Sequence, residues 1–128
     1  MPAGSPPQSG TELHPVGPPG APFPPALADG NAWLAPLVRQ PVPAMTVTVA
    51  RATFEAGGAT RWHRHEGPQL LVFVEGAGFV ETEDSGRFEA GAGDTVWCPA
   101  GVWHRHGARS SASATHVSTT WGDTEWRS

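Results

Sequence analysis

The sequence predicts an all-β protein, a β-sandwich or barrel of many short strands. Three observations carry that prediction. No stretch has a persuasive helical period. From residue 44 onward, apolar residues either alternate with polar ones at period two or gather in short runs. Gly, Pro, Asp and Ser clusters, the residues of turns, separate those runs. At 128 residues the chain is long enough for one domain with its own core and too short for two comfortable ones.

Residues 1–30 (MPAGSPPQSGTELHPVGPPGAPFPPALADG) have too few bulky apolar side chains to fold alone, and their prolines deny them ladder hydrogen bonds. They are expected to form a tail, disordered or extended over the surface, with His14 solvated; residues 31–128 are expected to form the domain. Residues 31–43 (NAWLAPLVRQPVP) carry Trp33, Leu34, Leu37 and Val38, enough for an edge strand or a dimer arm. Pro36 and Pro41 argue against a central strand. In residues 44–56 (AMTVTVARATFEA), Met45, Val47 and Val49 alternate with Thr46, Thr48 and Ala50, so a strand with one buried face starts there. Gly57-Gly58 turns the chain into residues 61–65, and Glu66-Gly67-Pro68 bends it again. Residues 69–75 (QLLVFVE) suit a buried strand, after which Gly76-Ala77-Gly78 is expected to turn into a strand over 79–83. Asp84-Ser85-Gly86 closes a hairpin with residues 87–90. Residues 91–94 turn, residues 94–98 form a strand, Pro99-Ala100-Gly101 bends, residues 102–107 carry His104, and the β-branched run 111–121 (SASATHVSTTW) closes the sheet.

Composition narrows the function. A net charge of −4, eight Arg and no Lys give no basic face to track phosphates, so nucleic acid is not an expected partner. No apolar run approaches the roughly 20 residues of a membrane span, and the N-terminus lacks a charged region followed by a hydrophobic block. A cytoplasmic protein is expected, and the lone Cys98, unable to form an internal disulfide, fits a reducing compartment. It reads as a small buried hydrophobe. Trp62, Trp97 and Trp103, with Phe54, Phe73 and Phe79, are expected in the core and pocket wall.

The chemistry gathers in two stretches, residues 57–76 (GGATRWHRHEGPQLLVFVEG) and 93–104 (GDTVWCPAGVWH). His63 and His65 stand two apart, so on a strand both imidazoles point to one side and can grip one ion. Gln69 and His104 complete a candidate metal set, imidazole suiting zinc, copper, iron or nickel and an amide oxygen adding a harder neutral ligand. Four protein ligands on an ion that accepts five or six leave an open position for a substrate hydroxyl, carbonyl or carboxylate. Because Gln69 is neutral, a divalent ion keeps its full charge, which favours Lewis-acid lyase, isomerase or cyclase chemistry over oxygen chemistry. Such a site needs a proton acceptor, and His suits that role near neutrality. His116 sits mid-strand between Ala114 and Val117. His106, two beyond His104, returns to the same face unless Gly107 ends the strand early, in which case it lies at the rim.

Written as Gly57, His63, His65, Gln69, Gly76 and then Gly93, Pro99, Gly101, His104, the spacing resembles the two motifs of the cupin superfamily over about the C-terminal three-quarters of the chain. Two positions depart: Gln69 replaces the usual Glu, and Ala108 replaces an Asn that often closes the second motif. The resemblance implies a cupin β-barrel (double-stranded β-helix, or jelly roll) and a divalent ion, manganese, iron, nickel or zinc. It also implies a small-molecule substrate and a homodimer or higher homo-oligomer, with the Trp33-Leu34 arm as a candidate crossing element. The Gln variant is similar to manganese-dependent bacterial hydroxynitrile lyases and to cupins that open unsaturated uronates. By the first likeness, His116 would remove a proton from a metal-bound cyanohydrin, which splits into an aldehyde and cyanide. Three functions stay open: this lyase or isomerase, which needs no oxygen; a dioxygenase, against which Gln69 argues; and a binding module that holds a ligand without turnover.

Overall fold

The computed structural model describes residues 12–42 and 44–127. Residues 1–11 of the expected tail, Pro43 and Ser128 lie outside them. Among the described residues there is no helix, so none is long and apolar enough to cross a membrane. The strands are β1 (Ala21–Pro22), β2 (Ala28–Asp29), β3 (Ala32–Val42), β4 (Met45–Phe54), β5 (Ala59–Thr60), β6 (His63–His65), β7 (Gln69–Thr82), β8 (Gly86–Gly91), β9 (Thr95–Cys98), β10 (His104–Ala108), β11 (Ala114–Trp121) and β12 (Thr124–Trp126). The sequence-predicted all-β class holds.

All pairings are antiparallel, and they join two layers. The first layer runs β1-β3-β4-β11 and then the N-terminal half of β7, with β9 beyond it. The second holds the C-terminal half of β7 between β8 and β10, and β10 continues to β5 and β6. The short strand β2 lies on β5 and β12 lies on β6. β7 therefore belongs to both layers. Here the expectation of a turn at Gly76-Ala77-Gly78 is corrected, because the chain runs on as one strand and bends from one layer into the other. Gly76 has a φ of 75°, and a Cβ there would run into the Ser113 carbonyl. A Cβ on Gly78 would stand 2.5 Å from the Phe73 ring. The glycines permit a close-packed corner between sheets.

β3 pairs along its length with β4 but, among the described residues, on its other side only with the two residues of β1. It is an edge strand for most of its course, and its register shifts between Pro36 and Val38, which is where prolines are tolerated. Trp33 and Leu34 pair with Thr53 and Ala52 of the same chain, as the edge-strand expectation has it. Residues 12–30 contribute β1, on β3 of the first layer, and β2, on β5 of the second, with a turn at residues 25–27 between them.

The core between the layers is built from Phe54, Leu71, Phe73 and Val80, all fully buried, surrounded by small residues including Ala52, Ala108 and Ala114. Cys98 is buried with them, and burial pushes its thiol up to about 12, so it serves as a small apolar filler. The tryptophans correct a second expectation. Trp62, Trp97 and Trp103 each precede an inward-facing residue, His63, Cys98 and His104, so alternation turns them outward. Trp97 is 58% exposed, and the Arg64 and Arg127 guanidiniums lie 4.5 and 4.3 Å from the Trp103 ring centre.

Candidate metal centre

β6 and β10 place the first histidines. His63 and His104 are directly opposed across the ladder, their ring centres 4.5 Å apart. His65 follows on the same side of β6, 5.1 Å from His63 and 5.3 Å from His104. All three are buried. His63 Nδ1 donates to the Arg61 carbonyl at 2.7 Å and His104 Nδ1 donates to the Val102 carbonyl at 3.0 Å. A carbonyl only accepts, so in each ring Nδ1 keeps the proton and Nε2 presents a lone pair to the interior. His65 Nδ1 meets the Thr124 hydroxyl at 2.8 Å, and its buried Nε2 has no partner among the described residues.

Gln69 opens β7 and is likewise buried. Its Nε2 donates to the Thr120 hydroxyl at 2.8 Å, which turns Oε1 to within 3.0 Å of His104 Nε2. In that orientation two lone pairs face one another with no hydrogen between them. Burial lowers the pKa of His104, so a proton does not fill the gap near neutrality. A cation does: two donors about 2.1 Å from one ion, at a right angle, stand about 3.0 Å apart. The donor set of three imidazoles and an amide oxygen therefore fits a divalent metal.

His106 corrects the rim alternative. β10 continues to Ala108, because Gly107 lets the strand press onto Ala59 of β5 instead of ending it. His106 is consequently buried and faces inward beside His104. Its Nδ1 lies 2.8 Å from His116 Nε2 on β11, while His106 Nε2 and His116 Nδ1 are buried without partners among the described residues. One nitrogen each of His63, His104 and His106 falls within 4.8 Å of the others, so this trio is the tightest grouping of metal-capable nitrogens in the cluster. All five histidines have pKa values lowered chiefly by burial, His65 and His116 to about 4 and His63 and His106 well below 6.5. Every ring is neutral at pH 7 and able to offer a lone pair.

His63, His65, Gln69, His106 and His116 line one cavity of about 170 Å³, with His104 behind its wall, smaller than the roughly 300–1,000 Å³ of sites for drug-sized ligands. Its lining includes the polar His63, His65, Gln69 and Thr124 and the apolar Phe23, Leu34, Ala50 and Ala52. Among the described residues no Asp, Glu or Arg lines it. Sequence reasoning missed Phe23, Trp126, Thr120 and Thr124. Phe23 had no signal, lying in a proline-rich stretch without pattern. Thr120 had one: His116, Ser118 and Thr120 alternate with Val117, Thr119 and Trp121, so the face that points inward is the polar one.

The family described as "Cupin domain" matches residues 50–120, more than half of the chain. An (R)-mandelonitrile lyase of Granulicella tundricola is 38% identical over 88 residues, 69% of this chain and 66% of that protein, just under two thirds of its length. A cupin-like protein of Thermotoga maritima superposes with a TM-score of 0.81 at 28% identity, covering 88% of each chain. An acetylacetone dioxygenase of Acinetobacter johnsonii superposes with a TM-score of 0.77 at 20% identity over 100% of this chain and 85% of that one, a likeness of fold alone.

Proposed function

We propose, from the premise that this chain belongs to the cupin family, that it is a metal-dependent lyase acting on a small uncharged hydroxy compound such as a cyanohydrin. One observation carries the proposal. The Gln69 oxygen lies 3.0 Å from His104 Nε2, His63 and His104 each keep the Nδ1 proton on a carbonyl, His65 Nε2 is buried without a partner among the described residues, and His63, His65 and Gln69 line a cavity that a histidine pair also lines. His63, His65, Gln69 and His104 would hold the ion. A divalent ion there supplies Lewis acidity, lowering the pKa of a substrate hydroxyl and favouring negative charge on its oxygen.

The chain's own residues do the rest. With the shared proton on His106 Nδ1, His106 Nε2 offers a lone pair to the cavity and accepts the substrate's hydroxyl proton. The Nδ1 proton then passes to His116 Nε2, 2.8 Å away. His116 thus acts behind His106, the two sharing the role of base. Phe23, Leu34, Ala50 and Ala52 give an apolar or aryl group a surface to pack on. The absence of Arg from the described lining leaves the carboxylate of a uronate without an ion-pair partner, which favours the neutral substrate. The name of the Granulicella relative points the same way.

The test is an assay without oxygen, with protein loaded in turn with manganese, iron, nickel or zinc, against cyanohydrins, β-hydroxycarbonyls and unsaturated uronates. Cyanohydrin cleavage is the expected result. His116→Ala should retain the metal and lose about 10²–10⁴-fold in rate. Turnover that requires oxygen would instead make the protein a dioxygenase, and heat stabilisation by ligand with no product would make it a binding module. The tight trio of His63, His104 and His106 favours a second ligand set with His106 replacing His65. Metal content separates the two: His65→Ala loses metal under the first assignment, and His106→Ala loses it under the second.

A further inference from the structure

His65 differs from His63 and His104 in what holds its ring proton. The other two keep the Nδ1 proton on a carbonyl two residues back, that of Arg61 or Val102. For His65 there is no such carbonyl among the described residues. Its Nδ1 meets instead the Thr124 hydroxyl at 2.8 Å, a partner 59 positions later in the chain. With that hydroxyl accepting, the proton stays on Nδ1 and the lone pair on the buried Nε2. Thr124 belongs to β12. Gly122, with a φ of 86°, turns the chain out of β11, and β12 then lies along the whole of β6, Thr124 opposite His65, Glu125 opposite Arg64 and Trp126 opposite His63. The Glu66 N–H donates to the Asp123 carbonyl at one end of this ladder and the Arg127 N–H to the Trp62 carbonyl at the other, both at 3.0 Å.

Apart from that ladder the strand is lightly held. Asp123, Thr124, Glu125 and Arg127 are exposed, and the Arg64–Glu125 and Arg127–Glu83 ion pairs lie at the surface, where such pairs contribute little. Its apolar contact is Trp126, half-buried against the cavity, with its ring centre 4.5 Å from that of His63. Both inward attachments therefore fall on candidate ligands, the hydroxyl on one imidazole and the indole on the other. A segment with few buried apolar contacts opens locally at low cost, so what steadies those two rings decides how firmly it docks. We propose that β12 is a metal-linked clasp, with Thr124 the positioning residue for His65: the strand docks more firmly when the ion is bound, and the ion binds more firmly when the strand is docked. The two effects are one coupling free energy seen from either side. The inference rests on the reading of His65 as a ligand. A strand that only covered the edge of β6 would shield it from pairing and would not respond to metal.

The test uses the full chain with zinc(II) as the probe and two readouts: zinc affinity by competition with a chelator, and amide hydrogen exchange of residues 123–127 by mass spectrometry with and without zinc. In the unaltered chain, zinc should slow exchange of that segment at least about 10-fold. Thr124→Val keeps the shape and loses the acceptor, so affinity should fall about 10- to 100-fold and the slowing by zinc should shrink. Thr124→Ser should restore both. Trp126→Ala removes the apolar contact and should speed exchange of the segment, with zinc affinity falling alongside. If zinc is bound by the unaltered chain and lost in His65→Ala, yet folded Thr124→Val binds it as tightly as before, the clasp is overturned while the metal site stands. Exchange of residues 123–127 that ignores zinc overturns it equally. Zinc retained in His65→Ala overturns the clasp together with the first ligand set, and an unaltered chain that binds no zinc overturns the proposed function as well. If Thr124→Val fails to fold, exchange of the unaltered chain with and without zinc still decides.

Discussion

The two layers divide the work of the cavity. The second layer gives His63, His65, His104 and His106 from the paired strands β6 and β10. Two of those rings are locked by carbonyls only two residues away, belonging to Arg61 and Val102. The first layer gives Gln69, His116, Thr120 and the apolar wall of Ala50 and Ala52. Its polar groups act on those of the other layer: Gln69 meets His104, and His116 meets His106. Donors on a short, doubly anchored ladder give fixed positions. Groups reaching across from the opposite sheet give adjustment.

The contrast predicts a graded set of effects. His104→Ala removes a donor from the locked layer and should cause the largest: metal per chain, read by elemental analysis, should fall to near zero, with loss of all proposed turnover. Next comes acid. His65 in one layer and His116 in the other are held near 4 by burial, below the unfolded value of about 6.5. Protons then bind the unfolded chain more readily, so stability present above about pH 6.5 is lost as pH falls through about 4, by roughly 3 kcal/mol for each group. Thermal melts of metal-free protein across that range should show a falling Tm, and metal should delay the fall to lower pH. The smallest effect belongs to the adjusting layer. Thr120→Val keeps the shape but drops the hydroxyl that orients Gln69, and metal affinity, measured by competition with a chelator, should weaken about 10- to 100-fold. Thr120→Ser should restore it. A loss with Thr120→Val as complete as with His104→Ala would erase the proposed distinction between the layers.

Much of this could be read from residue order because strand geometry is local. The two-residue step from His63 to His65, and again from His104 to His106, fixes a shared face wherever the backbone is extended. The same rule would have placed the tryptophans, since each stands one position before an inward side chain. Long-range facts left weaker traces. Gly76-Ala77-Gly78 has the composition of a turn, and only the crowding by Ser113 and Phe73 shows that the glycines serve a bend between sheets. Phe23 reaches the cavity through two short ladders, Ala21–Pro22 on β3 and Ala28–Asp29 on β5, pairings that no periodicity in a proline-rich segment announces.

That attachment of Phe23 bears on how the protein can change. Part of the surface that a substrate touches is borrowed from a strap lying outside the strands that carry the imidazoles. Replacing a handful of amino acids around position 23 would reshape the chamber without disturbing its histidines, so new preferences can be acquired by descent or by engineering while the chemistry is inherited intact.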